Sequence, residues 1–385
     1  MGLICGKPSA VKDSSDDKEV NFNGCHCHAR SDKKQAKVAV LVDYPGSRRI
    51  PKATLAEQAA AGWPDWLSAA AAEAINGWIP RRYDTFMKLN IIGQGSYGRV
   101  YKARDLVNGK LVALKKVRCD HLVPASVEFM AREILILRRL DHPNVIKLEG
   151  LIMSPTSGSL YLAFEYMEHD LTSRPGISLS EPQVKCYMQQ LLSGLDHCHS
   201  RGVLHLDLKG ANLLVDKNGI LKIADFGLAE FDDPHHSVPQ SSNVVTLWYR
   251  PPELLLGASK YGVGVDLWST GCILGELYYG KPILPGTSEE EQLNKIFKLC
   301  GSPSQDYWRR LQLNFKPQQP HTRCVAETFK NLLPPLKLME MLLSLYPADR
   351  GTAAIALTSD FFTTKPLACE PSSLPSTPTN PIHAQ

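Results

Sequence analysis

Two carboxylates, an amide and an ammonium group crowded into one short stretch constrain this chain more than any other feature. The run His205-Leu206-Asp207-Leu208-Lys209-Gly210-Ala211-Asn212 is followed closely by Asp225-Phe226-Gly227. Phosphoryl transfer needs such a set: one carboxylate accepts a hydroxyl proton and positions the oxygen, while hard oxygen donors hold a cation against the phosphates. Asp207 fits the first role, and Asn212 and Asp225 fit the second. Mg2+ suits the pair because it keeps several waters and takes few protein ligands. Lys209 is spaced to stabilise a transferring phosphoryl group.

The first half of the chain supplies matching parts in order. Gly93-Gln94-Gly95-Ser96-Tyr97-Gly98-Arg99-Val100 sets three glycines between strand-like segments, so backbone amides can approach a polyphosphate with no Cβ in the way. The glycines alone fit a structural turn equally well. A dinucleotide fold would need a helix directly after them, whereas Val100-Tyr101-Lys102-Ala103 continues as strand. In Val112-Ala113-Leu114-Lys115, strand alternation aims Lys115 at the nucleotide phosphates, and Glu133 on the following helix is its expected partner. As an ordinary surface pair the two would contribute only ~0–1 kcal/mol.

Composition bounds the rest. The 385 residues carry 43% hydrophobic and 21% charged residues, which is ordinary for a globular protein with a substantial core. Of the net charge of +4, ten Lys and Arg against seven Asp and Glu place +3 before residue 62, so no concentrated basic face marks a nucleic-acid binder. Ten scattered cysteines without a leader-like start fit reduced thiols better than a disulfide framework. Cys25-His26-Cys27-His28 has metal-like spacing but lacks a second pair, and reads more simply as a polar tail. Nothing approaches the ~20 apolar residues of a membrane span. Gly2 and Cys5 offer a weak acyl tether, although Gly6 stands where Ser or Thr is expected.

Along the chain, residues 1–61 read as a disordered tail and 62–82 as a strap whose Trp63, Trp66 and Trp78 pack onto the following domain. The class is α+β and bilobal. A small β-rich lobe runs from about 83 to 165, with a helix from Ser126 to Leu140 showing an apolar stripe of Phe129, Ile134, Leu137 and Leu140. A larger α-rich lobe, about 166–362, has helical patterns at Gln183–His199, Val265–Tyr279, Glu289–Leu299 and Leu336–Tyr346. A tail rich in Pro and Ser fills 363–385.

These motifs in this order resemble the eukaryotic protein kinases, over about Tyr83 to Phe362. The resemblance implies ATP in a cleft between lobes, bound by Ile92, Gly93, Gln94, Gly95, Ser96, Tyr97, Gly98, Val100, Ala113 and Lys115. It also implies a hinge at Phe164-Glu165-Tyr166-Met167 whose backbone reads adenine, and a ribose contact from Asp170. Val244-Val245-Thr246-Leu247-Trp248-Tyr249-Arg250-Pro251-Pro252-Glu253 is similar to the cyclin-dependent kinases. So are Ala131-Arg132-Glu133-Ile134 and Phe297-Lys298-Leu299-Cys300-Gly301-Ser302-Pro303. By that resemblance a cyclin is the partner and Glu253 pairs with Arg350. The resemblance also implies a protein Ser or Thr followed by Pro as substrate, since in such kinases the loop that corresponds to Val245 and Arg250 leaves no acceptor for an amide hydrogen that proline lacks. Thr246 and Lys209 follow the Ser/Thr rather than the Tyr pattern. Plant members resembling transcriptional cyclin-dependent kinases share the Trp-rich strap and the Cys369 to Pro375 segment. That implies the RNA polymerase II C-terminal repeat as substrate, a part in transcription elongation and a nuclear location, with membrane surface and cytoplasm as alternatives.

The chain also departs from that pattern. Where three arginines usually receive an activation-loop phosphate, it has Arg132, Leu206 and Glu230, with Ser241 at the usual phosphosite. Ordering of the loop by phosphate is therefore weakened, and Ser241→Ala is expected to retain activity. A low-activity enzyme is the alternative meaning of Leu206. Ser96 and Tyr97 align with inhibitory phosphosites, and the segment from Leu171 to Pro175 is about three residues shorter than in the resembled kinases. The rivals to a kinase with a cyclin are a pseudokinase or nucleotide-binding scaffold, and a membrane-tethered kinase without one.

Overall fold

Helical structure and burial are present before the strap expected at 62, in a helix that carries the buried Gln58. The computed structural model describes residues 55–95, 98–117, 124–154, 157–172, 179–232, 244–310, 320–331 and 333–375. It opens with helix α1 (Leu55–Ala60), then α2 (Asp65–Ile75). Among the described residues the packed segment thus includes α1. Gln58 is buried and its Nε2 donates to the Ala72 carbonyl at 2.8 Å, which joins α1 to α2. Leu67, Ala71, Ala74 and Ile75 are buried, and Trp63 Nε1 donates to the Trp78 carbonyl at 2.8 Å.

The small lobe is a six-stranded sheet. Its strands are β1 (Arg81–Arg82), β2 (Phe86–Gly95), β3 (Gly98–Asp105) and β4 (Leu111–Val117), then, after helix α3 (Pro124–Arg139), β5 (Leu148–Met153) and β6 (Leu160–Glu165). They lie in the order β1-β5-β6-β4-β3-β2. Alternation along β4 sends Val112 and Leu114 into a core with Phe86, Ala103 and Tyr161. The same alternation turns Ala113 and Lys115 to the opposite face. The sequence reading did not foresee β1, which pairs in parallel with β5 and is tied down where Arg81 meets the buried Asp105.

Helix α3 buries Val127, Met130, Ile134 and Leu137, a stripe at helical spacing. Phe129, expected on that stripe, is instead 53% exposed, with the Arg132 guanidinium 4.8 Å from its ring centre. Arg138 donates to the carbonyls of Ala74 and Asn76 at 2.7 and 2.6 Å. It thereby satisfies the orphaned end of α2 with a cation, the sign that end prefers.

The large lobe continues with β7 (His169–Asp170), α4 (Glu181–His199), β8 (Val203–Leu204), β9 (Leu213–Val215), β10 (Leu221–Ile223) and β11 (Glu230–Phe231). Ser180 and Gln183 form a capping box that starts α4. After α5 (Pro252–Leu255) comes α6 (Gly264–Tyr279), buried on nearly every side, and hence the centre of the lobe. Then follow α7 (Glu289–Cys300), α8 (Gln305–Arg310), α9 (Val325–Thr328), α10 (Leu333–Leu342), α11 (Ala353–Leu357) and α12 (Asp360–Thr363). Helix α10 stops short of the expected Tyr346 because the Ser344 and Leu345 carbonyls turn to Arg350, at 2.8 and 3.1 Å. Arg350 is fully buried and grips Glu253 through two bonds of 2.6 and 2.8 Å.

The C-terminal segment stays on this lobe as far as Leu374, which is buried. Lys185 lies inside the lobe and donates to the carbonyls of Thr364 and Pro366, both at 2.7 Å. Cysteines 186, 198, 272, 300, 324 and 369 are free, and burial pushes the thiols of Cys186 and Cys300 up to about 12. Cys186, Cys198, Cys272 and Cys300 are buried and serve as packing residues. Among the described residues no helix is long and apolar enough to cross a membrane.

Candidate active site

A cleft of about 570 Å³ opens between sheet and large lobe, lined from above by Gly93, Val100, Ala113 and Lys115 and from below by Ala211, Asn212 and Asp225. That volume suits a small-molecule ligand. Of the residues expected at the nucleotide, Ile92, Gln94, Gly98, Phe164, Glu165, Met167 and Asp170 also line it. Gly95 ends β2 opposite Gly98, while Ser96 and Tyr97 lie outside the described residues, as do Ser241 and the Cys25–His28 cluster.

Lys115 is the pivot of the cleft. Its Nζ donates to Glu133 Oε1 at 2.6 Å and to Asp225 Oδ1 at 2.9 Å. Burial alone would favour a neutral amine, but the charges of Glu133 and Asp225 outweigh it and hold the ammonium well above the usual lysine range. The mirror effect acts on Asp225: burial would raise its carboxyl, yet Lys115 draws it below the usual range. One cation thus joins β4, α3 and the Asp225-Phe226-Gly227 turn.

Asp207 is buried at 4% exposure, with both oxygens held. Oδ2 accepts from Lys209 Nζ at 2.7 Å and Asn212 Nδ2 at 3.1 Å. Oδ1 accepts from the Thr246 backbone N–H at 3.1 Å and its hydroxyl at 2.7 Å. Lys209 also donates to Thr246 Oγ1 at 3.0 Å. The sequence motifs are therefore one hydrogen-bonded cluster with a single fixed carboxylate at its centre. The amide nitrogen of Asn212 is spent on the Asp207 carboxylate and carbonyl, so its oxygen is what it can offer a cation.

The backbone here is held in costly conformations. Leu206, Asp225 and Val245 have φ of 61°, 60° and 68°, a region worth ~1–3 kcal/mol of strain for such residues. Sequence reasoning missed the residue that stabilises the first of these. Asp266 on α6 accepts from the His205 and Leu206 backbone N–H groups, both at 2.9 Å, and its Oδ2 lies 2.9 Å from His199 Nε2. Burial would raise its carboxyl, but the bond with His199 and the other partners draw it down. The available signal was one acidic residue in the apolar run Val265-Asp266-Leu267-Trp268.

At the far side, Val245 turns its carbonyl to Arg250 Nε at 3.1 Å, and Arg250 Nη1 pairs with Glu289 at 2.5 Å. Asp170 Oδ1 accepts from the Thr172 backbone and hydroxyl at 2.7 and 2.6 Å, so that oxygen is committed locally. Of the segment from Leu171 to Pro175, where the shortening is expected, residues 173–175 lie outside the described residues.

A family model described as the protein kinase domain matches residues 86–362. The chain belongs to the protein kinase domain family. This kinase-family chain is 60% identical over 383 residues to an Arabidopsis thaliana protein named "Probable serine/threonine-protein kinase", across 95% of this chain and 54% of the relative. Cyclin-dependent kinase C-2 C of Arabidopsis thaliana is 56% identical over 333 residues, covering 84% of this chain and 52% of its own. The chain spans about half the length of the curated relatives it matches first. A chain of the crystal structure of the yeast RNA Pol II CTD kinase CTDK-1 complex superposes with a TM-score of 0.68 at 34% identity. The match covers 76% of this chain and 97% of that one. The fold is the protein kinase fold, with a β-sheet small lobe and a helical large lobe.

Proposed function

We propose that this kinase-family chain transfers the γ-phosphoryl group of ATP to Ser or Thr followed by Pro in proteins, in association with a cyclin. The observation that carries the reading is Lys115 bound at once to Glu133 and Asp225 in the cleft where Asn212 holds Asp207. In that arrangement Asp207 takes the hydroxyl proton as the substrate oxygen bonds to the γ-phosphorus. The bond to the bridging oxygen breaks, ADP leaves, and Lys209 offsets the charge of the moving group. Lys115, oriented by Glu133, holds the α and β phosphates, with the glycines of β2 and β3 above them.

Asn212 and Asp225 are the residues that would hold a divalent ion. As two hard oxygen donors they suit Mg2+, which completes its shell with waters and phosphate oxygens. Held there, such an ion would neutralise charge on the β and γ phosphates. Among the described residues no group of three or more His, Cys, Asp or Glu could hold a metal by itself, in keeping with an ion that arrives with the nucleotide. The hinge backbone at Phe164 to Met167 meeting adenine, and a ribose contact from Asp170, complete the nucleotide assignment.

Proline direction is supported by Val245. Its left-handed φ and its bond to Arg250 remove the carbonyl that would otherwise accept the amide after the target residue. A Ser-Pro repeat peptide is therefore expected to be phosphorylated at least ~5-fold faster than its Ser-Ala counterpart, because an amide left without an acceptor on binding costs ~1–3 kcal/mol. Initial rates with labelled ATP, with and without added cyclin, check this. Equal rates on the two peptides would remove the proline preference, and no transfer to either would remove the kinase reading. The similarity to cyclin-dependent kinase C proteins and to the CTD kinase supports a cyclin partner, the RNA polymerase II C-terminal repeat as substrate and a nuclear location. No observation favours a scaffold without turnover.

A further inference from the structure

Glu133 reaches Lys115 only while α3 keeps its rotation, and β11 grips that helix from the side of the large lobe. Arg132, the neighbour of Glu133, places Nη1 3.4 Å from Glu230 Oε1. Two turns further along α3, the Arg139 guanidinium lies 4.4 Å from the ring centre of Phe231. Glu230 and Phe231 pair in turn with Leu204 and Val203 of β8, which leads into Leu206 and Asp207. A continuous path of contacts therefore runs from the catalytic loop through β8 and β11 to α3, and so to Glu133 and Lys115.

Charge explains why this grip is complete in the unmodified chain. Arg132 and Glu230 are 30% and 22% exposed, partly withdrawn from solvent, so their attraction is less screened than that of a surface pair. The Tyr261 hydroxyl is raised first by burial, then further by the charge of Glu230, and lowered by that of Arg132. Leu206 is fully buried and brings no charge. An added phosphate at this place would meet one arginine already paired and the like charge of Glu230.

We propose that Glu230 is a positioning residue whose carboxylate, acting through Arg132, locks α3 in the rotation that seats Glu133 on Lys115 without any added phosphate. The proposal rests on the kinase reading above and deepens it. The test compares full-length wild type, Glu230→Arg and the exchanged pair Arg132→Glu with Glu230→Arg, each treated with a phosphatase. Steady-state transfer to the Ser-Pro peptide and hydrogen exchange of the α3 amides are both read. Phosphatase-treated wild type stays within about twofold of untreated protein. Glu230→Arg loses about tenfold in kcat with little change in peptide KM, as expected when an attractive partly buried pair becomes a repulsive one. Its α3 amides exchange faster while those of α6 do not. The exchanged pair recovers most of both losses, which a general loss of stability would not allow. Wild-type rates and exchange in Glu230→Arg would overturn the proposal. So would an exchanged pair no better than the single variant, or a large loss on phosphatase treatment. If wild type transfers no phosphate at all, the kinase reading fails, and exchange at α3 still decides whether Glu230 holds the helix.

Discussion

Asp207→Asn lowers kcat for phosphoryl transfer on the order of 10³-fold while ATP affinity moves less than about threefold. Positioned general bases contribute ~10²–10⁴ in rate, and Asp207 is the carboxylate on which Lys209, Asn212 and Thr246 converge. Asparagine matches its volume, so packing survives. Its NH2 cannot accept a proton and would face either the Lys209 ammonium or the Thr246 donors. Initial rates with saturating ATP, together with nucleotide binding measured separately, check the split. Equal losses in binding and turnover would instead point to collapse of the loop.

Lys115→Met has the second large effect, and it appears in stability as well as rate. Removing the cation leaves Glu133 and Asp225 with no counter-charge. Breaking a buried pair costs ~3–5 kcal/mol, and discounting for the 35% exposure of the Asp225 side chain gives an expected loss of about 2–3 kcal/mol. Transfer falls on the order of 10²-fold through lost phosphate positioning. The pH dependence follows from the directions of the shifts. Lys115 is raised, so its contribution is full below the unfolded lysine value of ~10.4 and decays as pH climbs through the folded value. Asp225 is lowered, so its contribution is full above the unfolded value of ~3.9 and decays as pH falls through the folded value. Urea unfolding should therefore show a gap between wild type and Lys115→Met that is flat from about pH 5 to pH 9 and narrows in acid. A gap that widened in acid would contradict the pairing.

The chemistry was legible because it is local. Asp207, Lys209 and Asn212 lie within one loop, and strand alternation alone delivers Lys115 to the cleft face of β4. What the sequence could not express were contacts made across long separations. The parallel pairing of β1 with β5 depends on Arg81 finding Asp105. Phe129 was assigned to a buried stripe by spacing, yet the cation of Arg132 covers its ring in solvent. The end of α10 is set by a buried arginine that draws carbonyls out of the helix. Asp266 was invisible for the same reason: its importance lies in two N–H groups of a loop some sixty positions earlier, held in a strained conformation. The replacement of two arginines of the usual set of three by Leu206 and Glu230 was visible in the sequence. Only the geometry adds that Glu230 pairs with Arg132.

The central claim is that Lys115, Asp225 and Asn212 surround one nucleotide together with its metal ion, and calorimetric titration of ATP into the full chain tests it most directly. With Mg2+ present, wild type should bind ATP at least ~10-fold more tightly than without it, the increment a charge-assisted metal bridge of ~1.4 kcal/mol supplies. Asp225→Asn should lose that increment while retaining metal-free binding. ATP affinity indifferent to Mg2+ in wild type, or an Asp225→Asn variant that responds to Mg2+ as fully as wild type, would contradict the account.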